Sequence, residues 1–279
     1  MCDDQEMTAT DARTTHGSRS AESGLEQNGH TYTEQRITGT DFFSCLWTST
    51  SSAAESTPTT TASEEPVATH RIIPDLCADF IVDSTGKAWL VGPATVADLV
   101  TTAPGVTRWG VRINPPALRS ILGTDAEIVQ DTKIDFGDVL SSRQARILAD
   151  ALRSTRVDAT LLENLWPSIC PDDTAQIGYA ALTASPEIRV REVASDLGVS
   201  ERHFRRTIAA STGLSPKTIQ RVQRMQNVLM LARGTNTSAH MSLADLAVHA
   251  GYADQAHLSR DVQALTGVTP TQLLREHRR

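Results

Sequence analysis

Along the last third of the chain the apolar residues fall at helical spacing, and they do so twice. Val190, Val193, Ala194 and Leu197 stand at i, i+3, i+4 and i+7, which is one face of a helix. Gly198 follows where a left-handed cap would stop that helix, Val199 can turn inward, and Ser200 is a good N-cap. A second helix is predicted from about Glu201 to Thr212. It carries Phe204, Ile208 and Ser211 on one side and Arg202, Arg205, Arg206 and Ala209 on another. Fifty-three residues after Gly198, at Gly251, the pattern returns. Leu243, Leu246, Ala247 and Ala250 make the apolar face of a helix capped by Ser242, and Tyr252 takes the place of Val199. The next helix starts one residue later than its counterpart and turns Leu258, Val262 and Leu265 inward. Between the copies, Ser215 and Pro216 start a helix predicted to run to about Arg233, with Ile219, Val222, Met225 and Leu229 as its buried stripe. At 1.5 Å per residue it would span about 27 Å. Thr269 and Pro270 start a final helix in the same manner.

Helix, glycine turn, helix is the grammar of a helix-turn-helix, and a repeat of this length means one supersecondary unit used twice. In the first unit Arg202, Arg205 and Arg206 cluster beside a narrow apolar stripe. Arginine presents a planar fork that bonds guanine O6 and N7, or phosphate, through two donors. In the second unit Ala256, Ser259, Arg260 and Gln263 hold the equivalent places, and Asp261 lies next to Arg260. The units are therefore expected to contribute unequally, the first binding more strongly. The linker helix would place the two recognition helices in successive major-groove segments, about 34 Å apart along one face of the duplex. Arg221 and Arg224 on that helix are expected to be free to approach phosphate.

Charge supports this reading only once it is divided along the chain. The whole carries −7. Gly178 to Arg279 holds 13 Lys and Arg against 8 Asp and Glu, a net of +5, which leaves −12 on the remainder. A basic module on an acidic body fits a DNA-binding domain joined to a sensing domain.

The segment from about Gly178 to Arg279 resembles the DNA-binding domain of the AraC/XylS family of bacterial transcription regulators. The resemblance rests on Val193-Ala194, Gly198-Val199-Ser200, Phe204-Arg205-Arg206, Gly213-Leu214-Ser215-Pro216, Ala247, Gly251-Tyr252, His257-Leu258-Ser259-Arg260 and Gly267-Val268-Thr269-Pro270. It departs from the family at Leu258 and Val262, where phenylalanine is usual, and at Gln263, where a basic residue is common. These changes would loosen the second unit and weaken its grip on phosphate. The resemblance implies a sequence-specific, cytoplasmic regulator whose partner is double-stranded DNA. The residues expected to meet DNA are Arg202, His203, Arg205 and Arg206 from the first unit, and Gln255, Ala256, His257, Ser259 and Arg260 from the second.

The N-terminal part reads differently. Residues 1–30 are polar and read as a disordered tail, and 48–69 is almost all Ser, Thr, Ala, Glu and Pro and reads as a surface loop. Between and after them, Phe42 to Trp47, Arg71 to Ile73, Phe80 to Val82, Ala88 to Val91 and Gly110 to Ile113 are short strand-like runs parted by turn formers. That pattern favours a small barrel or sandwich over 31–140. Ile73-Pro74-Asp75, Cys77-Ala78-Asp79, Gly92-Pro93, Gly110-Val111-Arg112 and Pro115 resemble the cupin-like N-terminal domain of one subgroup of AraC-type regulators. This implies a domain that senses a small-molecule effector or holds a homodimer. From Pro116 helices take over: one near Ala117 to Leu122, then Asp138 to Arg153 and Thr160 to Trp166, and 141–177 reads as a helical linker. Ile147, Leu148, Leu152, Leu161, Leu162 and Leu165 fit either a dimer seam or a bridge between domains. The expected class is α+β, with an all-α DNA-binding domain over 178–279.

Two other function classes compete with this reading. An enzyme carrying a DNA-binding module would need a site in the N-terminal half. His70, Asp75 and Asp79 are the candidates there, against the plainer reading that Asp75 closes a turn and Asp79 pairs with Arg71 or Arg112. No phosphate loop or nucleophile elbow is present, and Cys2, Cys45, Cys77 and Cys170 show no paired spacing. No catalytic residue, metal or cofactor is therefore expected, and no segment has the length and apolarity of a signal core or membrane span. A nonspecific architectural binder would want denser positive charge. Trp89 and Trp109 suit core packing or a ligand pocket.

Overall fold

Alternation organises the first half. The computed structural model describes residues 25–27, 30–51, 68–233 and 241–277. Its strands are β1 (Leu25–Gln27), β2 (His30–Arg36), β3 (Phe43–Ser51), β4 (Ala68–Ile72), β5 (Ala78–Asp83), β6 (Ala88–Val91), β7 (Asp98–Thr102), β8 (Thr107–Ile113) and β9 (Lys133–Asp135). Seven form one antiparallel sheet in the order β1-β2-β3-β8-β5-β6-β9, and β4 pairs with β7 as a separate ribbon. Side chains alternate across each strand. Leu46, Val111, Phe80, Val82 and Leu90 therefore share one face, where they pack beneath helices. The opposite face presents Trp47, Asp79 and Arg112. The Trp47 indole lies across Gly110, where a Cβ would stand 2.3 Å from the ring.

The helices covering the sheet are α1 (Leu118–Leu122), α2 (Phe136–Val139), α3 (Ser142–Arg153) and α4 (Ala159–Leu165). Leu148, Leu152, Leu162, Leu165 and Trp166 are buried with Phe43, Phe80 and Ile113 in a single core, and Trp166 stacks on Phe80 at 5.4 Å. The leucines read from sequence as a dimer seam or a bridge between domains are thus mainly roofing the sheet. The predicted helix from Asp138 to Arg153 is two helices. Ser141 caps the second, accepting from the Gln144 N–H while Gln144 reaches back to the Ser141 N–H.

Two low-complexity readings are also corrected. β3 continues through Thr48 to Ser51, paired on both sides by β2 and β8, and β4 begins at Ala68. Serine and threonine alternate as well as any residue when both neighbours supply a ladder. Leu25–Gln27, within the segment read as a tail, pairs with β2. The rest of the tail through residue 24, and 52–67 of the loop, lie outside the described residues. Strands β7 and β9 had no sequence signal strong enough to name them.

The second half is helical: α5 (Asp173–Ala184), α6 (Val190–Asp196), α7 (Glu201–Thr212), α8 (Pro216–Arg233), α9 (Leu243–His249), α10 (Gln255–Thr266) and α11 (Pro270–His277). Phe204, Ile208, Ile219, Val222, Met225, Leu246, Leu258, Val262 and Leu273 share one core, each nearly or fully buried. Leu258 and Val262, the smaller replacements, are fully buried. Gly178 lets α5 seat directly on α7, since a Cβ there would stand 2.3 Å from the Phe204 ring.

Candidate nucleic-acid interface

Each unit is built by the same local chemistry. After α6 the chain turns at Gly198 with φ +68°, and after α9 at Gly251 with φ +86°, a region that disfavours a Cβ. Ser200 then accepts the His203 N–H at 3.2 Å to start α7, and Asp254 accepts the His257 N–H at 2.6 Å to start α10. Gly213 and Gly267, both left-handed, close the two helices. Polar residues in the first turns of each of these two helices are exposed or half-buried, and the apolar stripe is buried behind them.

On α7, Arg202, His203, Arg205 and Arg206 are all exposed along the outward side. Among the described residues Arg202 has no ion-pair partner. Arg205 is held back against its own helix: Nε and Nη2 both donate to Glu201 Oε1, at 2.8 and 2.6 Å. An exposed pair of this kind is worth only tenths of a kcal/mol and can be exchanged for phosphate or a base edge. Arg206 Nη2 stands 3.5 Å from His203 Nδ1. On α10, Gln255, Ala256 and Arg260 are exposed and Ser259 is half-buried. Arg260 Nε donates to the Ala256 carbonyl at 3.2 Å, which leaves the rest of its guanidinium outward.

His257 behaves otherwise. Its ring lies edge-on to Tyr252 at 5.2 Å, and Nε2 is 3.7 Å from Asp261 Oδ2, so it leans toward the body of the domain. Asp261 itself turns away from the outward side, its side chain only 13% exposed. It binds Arg221 Nε at 3.1 Å and lies 3.6 Å from Arg224 Nη2. Arg224 also donates to the Pro186 carbonyl and lies over the Tyr252 ring. Arg221 and Arg224 are therefore not free for phosphate, as their spacing had suggested. They tie the linker helix to the second recognition helix, and no sequence pattern links Asp261 to these two positions far upstream.

In the N-terminal domain Asp75 does close a turn, accepting the Cys77 N–H at 3.1 Å. Asp79 pairs with Arg112 at 3.3 Å and accepts from Trp47 Nε1 at 2.8 Å. Burial pushes the Asp79 carboxyl upward, and Arg112 opposes that. Arg71 reaches the helical half instead, at the Thr266 carbonyl and Glu276. His70 lies on β4. Among the described residues no group of three or more His, Cys, Asp or Glu is placed to hold a metal ion, and no helix is long and apolar enough to cross a membrane. Trp89 is buried with the Lys133 ammonium 3.6 Å from its ring centre, and Trp109 packs at the edge of the sheet core.

Residues 193–276 match the family model described as a helix-turn-helix domain. The C-terminal third of the chain therefore holds a helix-turn-helix domain. This domain is similar to invasion protein InvF of Salmonella typhi, 31% identical over 97 residues, and equally to InvF of Salmonella typhimurium. The alignment covers 35% of this chain and 43% of InvF, so the chain spans less than half the length of these relatives. Among solved structures, the C-terminal domain of AraT, a response regulator from Geobacillus stearothermophilus, aligns at 21% identity and a TM-score of 0.34, covering 37% of this chain and 85% of that one. ToxT from Vibrio cholerae aligns at 12% identity and a TM-score of 0.41, covering 76% of this chain and 97% of ToxT.

Proposed function

We propose that the chain is a sequence-specific DNA-binding transcription regulator whose two recognition helices enter successive major-groove segments of one duplex. The observation that carries this reading is the repeated unit of the AraC-type domain. Two capped helices each expose polar residues of their first turns beside a buried apolar stripe, and one bears Arg202, Arg205 and Arg206. Recognition helices meet base edges with their N-terminal residues. In this reading Arg202 and Arg206 are the principal contacts of the first unit. Arg205 joins them once it exchanges Glu201 for DNA, and His203 supports phosphate contact. The second unit reads through Gln255, Ala256, Ser259 and Arg260, with His257 at the margin.

The N-terminal domain is the regulatory half, sensing a small molecule or holding a homodimer. Its sheet supports the first role by grouping Trp47, Tyr32, Asp79 and Arg112 on the face away from the helices. Selection of bound duplexes from a random pool, with full-length protein at near-physiological salt, tests the main reading. Two enriched boxes about one helical turn apart are expected. Failure to enrich any sequence refutes it.

A further inference from the structure

The far ends of the two recognition helices are equivalent points of the repeat, and both rest on one loop of the N-terminal domain. That loop runs from Gly92 to Ala97, between β6 and β7. Near its start it meets α7. A Cβ placed on Gly213, the C-cap of α7, would stand 2.9 Å from Pro93 Cγ and 2.9 Å from the Ala126 carbonyl oxygen. At its end it meets α10, where the Ala97 N–H donates to the Leu265 carbonyl at 2.7 Å. Arg71, paired with Leu99 across the β4–β7 ribbon, adds a second donor. Its Nη1 reaches the Thr266 carbonyl at 2.7 Å and its Nε lies 3.4 Å from Glu276. These donors satisfy carbonyls that a helix end leaves unpaired, and a cation there suits the helix dipole.

The loop is held from behind. Gly92 lies so close to the Val129 carbonyl that no Cβ could be accommodated. Asp131 accepts the Thr95 N–H on Oδ1 at 2.6 Å and the Thr95 hydroxyl on Oδ2 at 2.7 Å, while its own N–H donates to the Pro93 carbonyl at 3.1 Å. Asp131 does this at φ +53°, a left-handed turn that aspartate adopts more readily than most residues with a side chain.

We propose that the 92–97 loop is a brace that sets the spacing and relative angle of the two recognition helices. The N-terminal domain, together with the linker helix α8, would then fix the distance between the DNA boxes the chain accepts. The inference rests on the two-helix reading above. The geometry suits it because the brace holds only the rear ends, Gly213 and Leu265 to Gly267, and leaves the front halves of α7 and α10 clear. DNA is a fine gauge of such an arrangement. One extra base pair moves the second box about 3.4 Å along the duplex and rotates it by about 34°.

The test uses the full chain and duplexes carrying both selected boxes, with the spacer varied one base pair at a time. Wild type is compared with Arg71→Ala and Asp131→Ala. Wild type is expected to prefer one spacing by about tenfold over its neighbours, a preference of the size of one mismatched base pair. Both variants should bind the same box sequences, with that preference reduced to about threefold or less. A general loss of fold would instead lower binding at every spacing alike. If Asp131→Ala does not fold, Arg71→Ala, whose removal leaves the loop itself intact, carries the test. Unchanged spacing preference in a folded variant overturns the brace. Two boxes without a preferred spacing in wild type overturn the brace alone, whereas a single box in wild type overturns the two-helix reading and the brace with it.

Discussion

Replacing Asp261 by alanine tests how the second recognition helix is held. The carboxylate is 13% exposed and lies 3.1 Å from Arg221 Nε, 3.6 Å from Arg224 Nη2 and 3.7 Å from His257 Nε2. Arg221 is 30% exposed and Arg224 14%, so the site lies between a surface pair and a buried one. A surface pair contributes about 0–1 kcal/mol, and breaking a buried pair costs about 3–5 kcal/mol. The cost here should be about 2 kcal/mol, because Arg221 can turn to water while Arg224 keeps the Pro186 carbonyl and the Tyr252 ring. For a chain of this size each kcal/mol moves the midpoint about 2–4 °C, so a fall of about 4–8 °C is expected in thermal unfolding. A double-mutant cycle with Arg221→Ala isolates the pair, and its coupling should be about 1–2 kcal/mol. A coupling below about 0.5 kcal/mol would refute the reasoning, since separated sites reach that much by chance.

Arg206→Ala should weaken binding to the selected duplex by about 1–3 kcal/mol and relax preference at one position, and an equal loss on all sequences would make it a phosphate contact. Gly178→Ala would drive a Cβ to 2.3 Å from Phe204, so overpacking of about 1–3 kcal/mol should outweigh the gain in helix propensity of about 1 kcal/mol; a raised melting temperature would contradict this. Burial pushes the Cys45 thiol up to about 12 and the Cys77 thiol well above its ordinary range, so mass spectrometry after alkylation at pH 8 should find the exposed Cys170 modified before Cys45 and Cys77. Burial lowers the His277 imidazole below its ordinary value, against a bond to the Leu273 carbonyl that raises it. The unfolded chain therefore binds the extra proton first, and this contribution to stability is present above about pH 6.5 and lost as pH falls below it. His277→Gln should flatten that part of the pH profile of unfolding, and an unchanged slope would show that His277 does not cause it.

The repeated unit was legible because its signals are local. Gly198 and Gly251 stop helices, Ser200 caps one, Ser215 and Pro216 start another, and apolar residues recur every three or four positions. Each needs only a turn or two of chain to act, so α8 from Pro216 to Arg233 has the predicted ends. The exposed places of Arg202, Arg205 and Arg206 followed from the same periodicity. The β-rich half was harder. The serine and threonine run after Trp47 has the composition of a loop, and it becomes a strand only because β2 and β8 lie on either side of it.

What the sequence determined by itself was therefore the helix-turn-helix grammar, its repetition and the basic face of α7, since these depend on neighbours within a few residues. Tertiary structure alone decided where the long-range groups go. It turned Asp261 inward to Arg221 and Arg224, spread the leucines of α3 and α4 over the sheet, and set Arg71 and Ala97 against the end of α10. A charged or apolar side chain carries no record of its distant partner. That partner is chosen by burial and by the need to satisfy polar groups once the elements have packed.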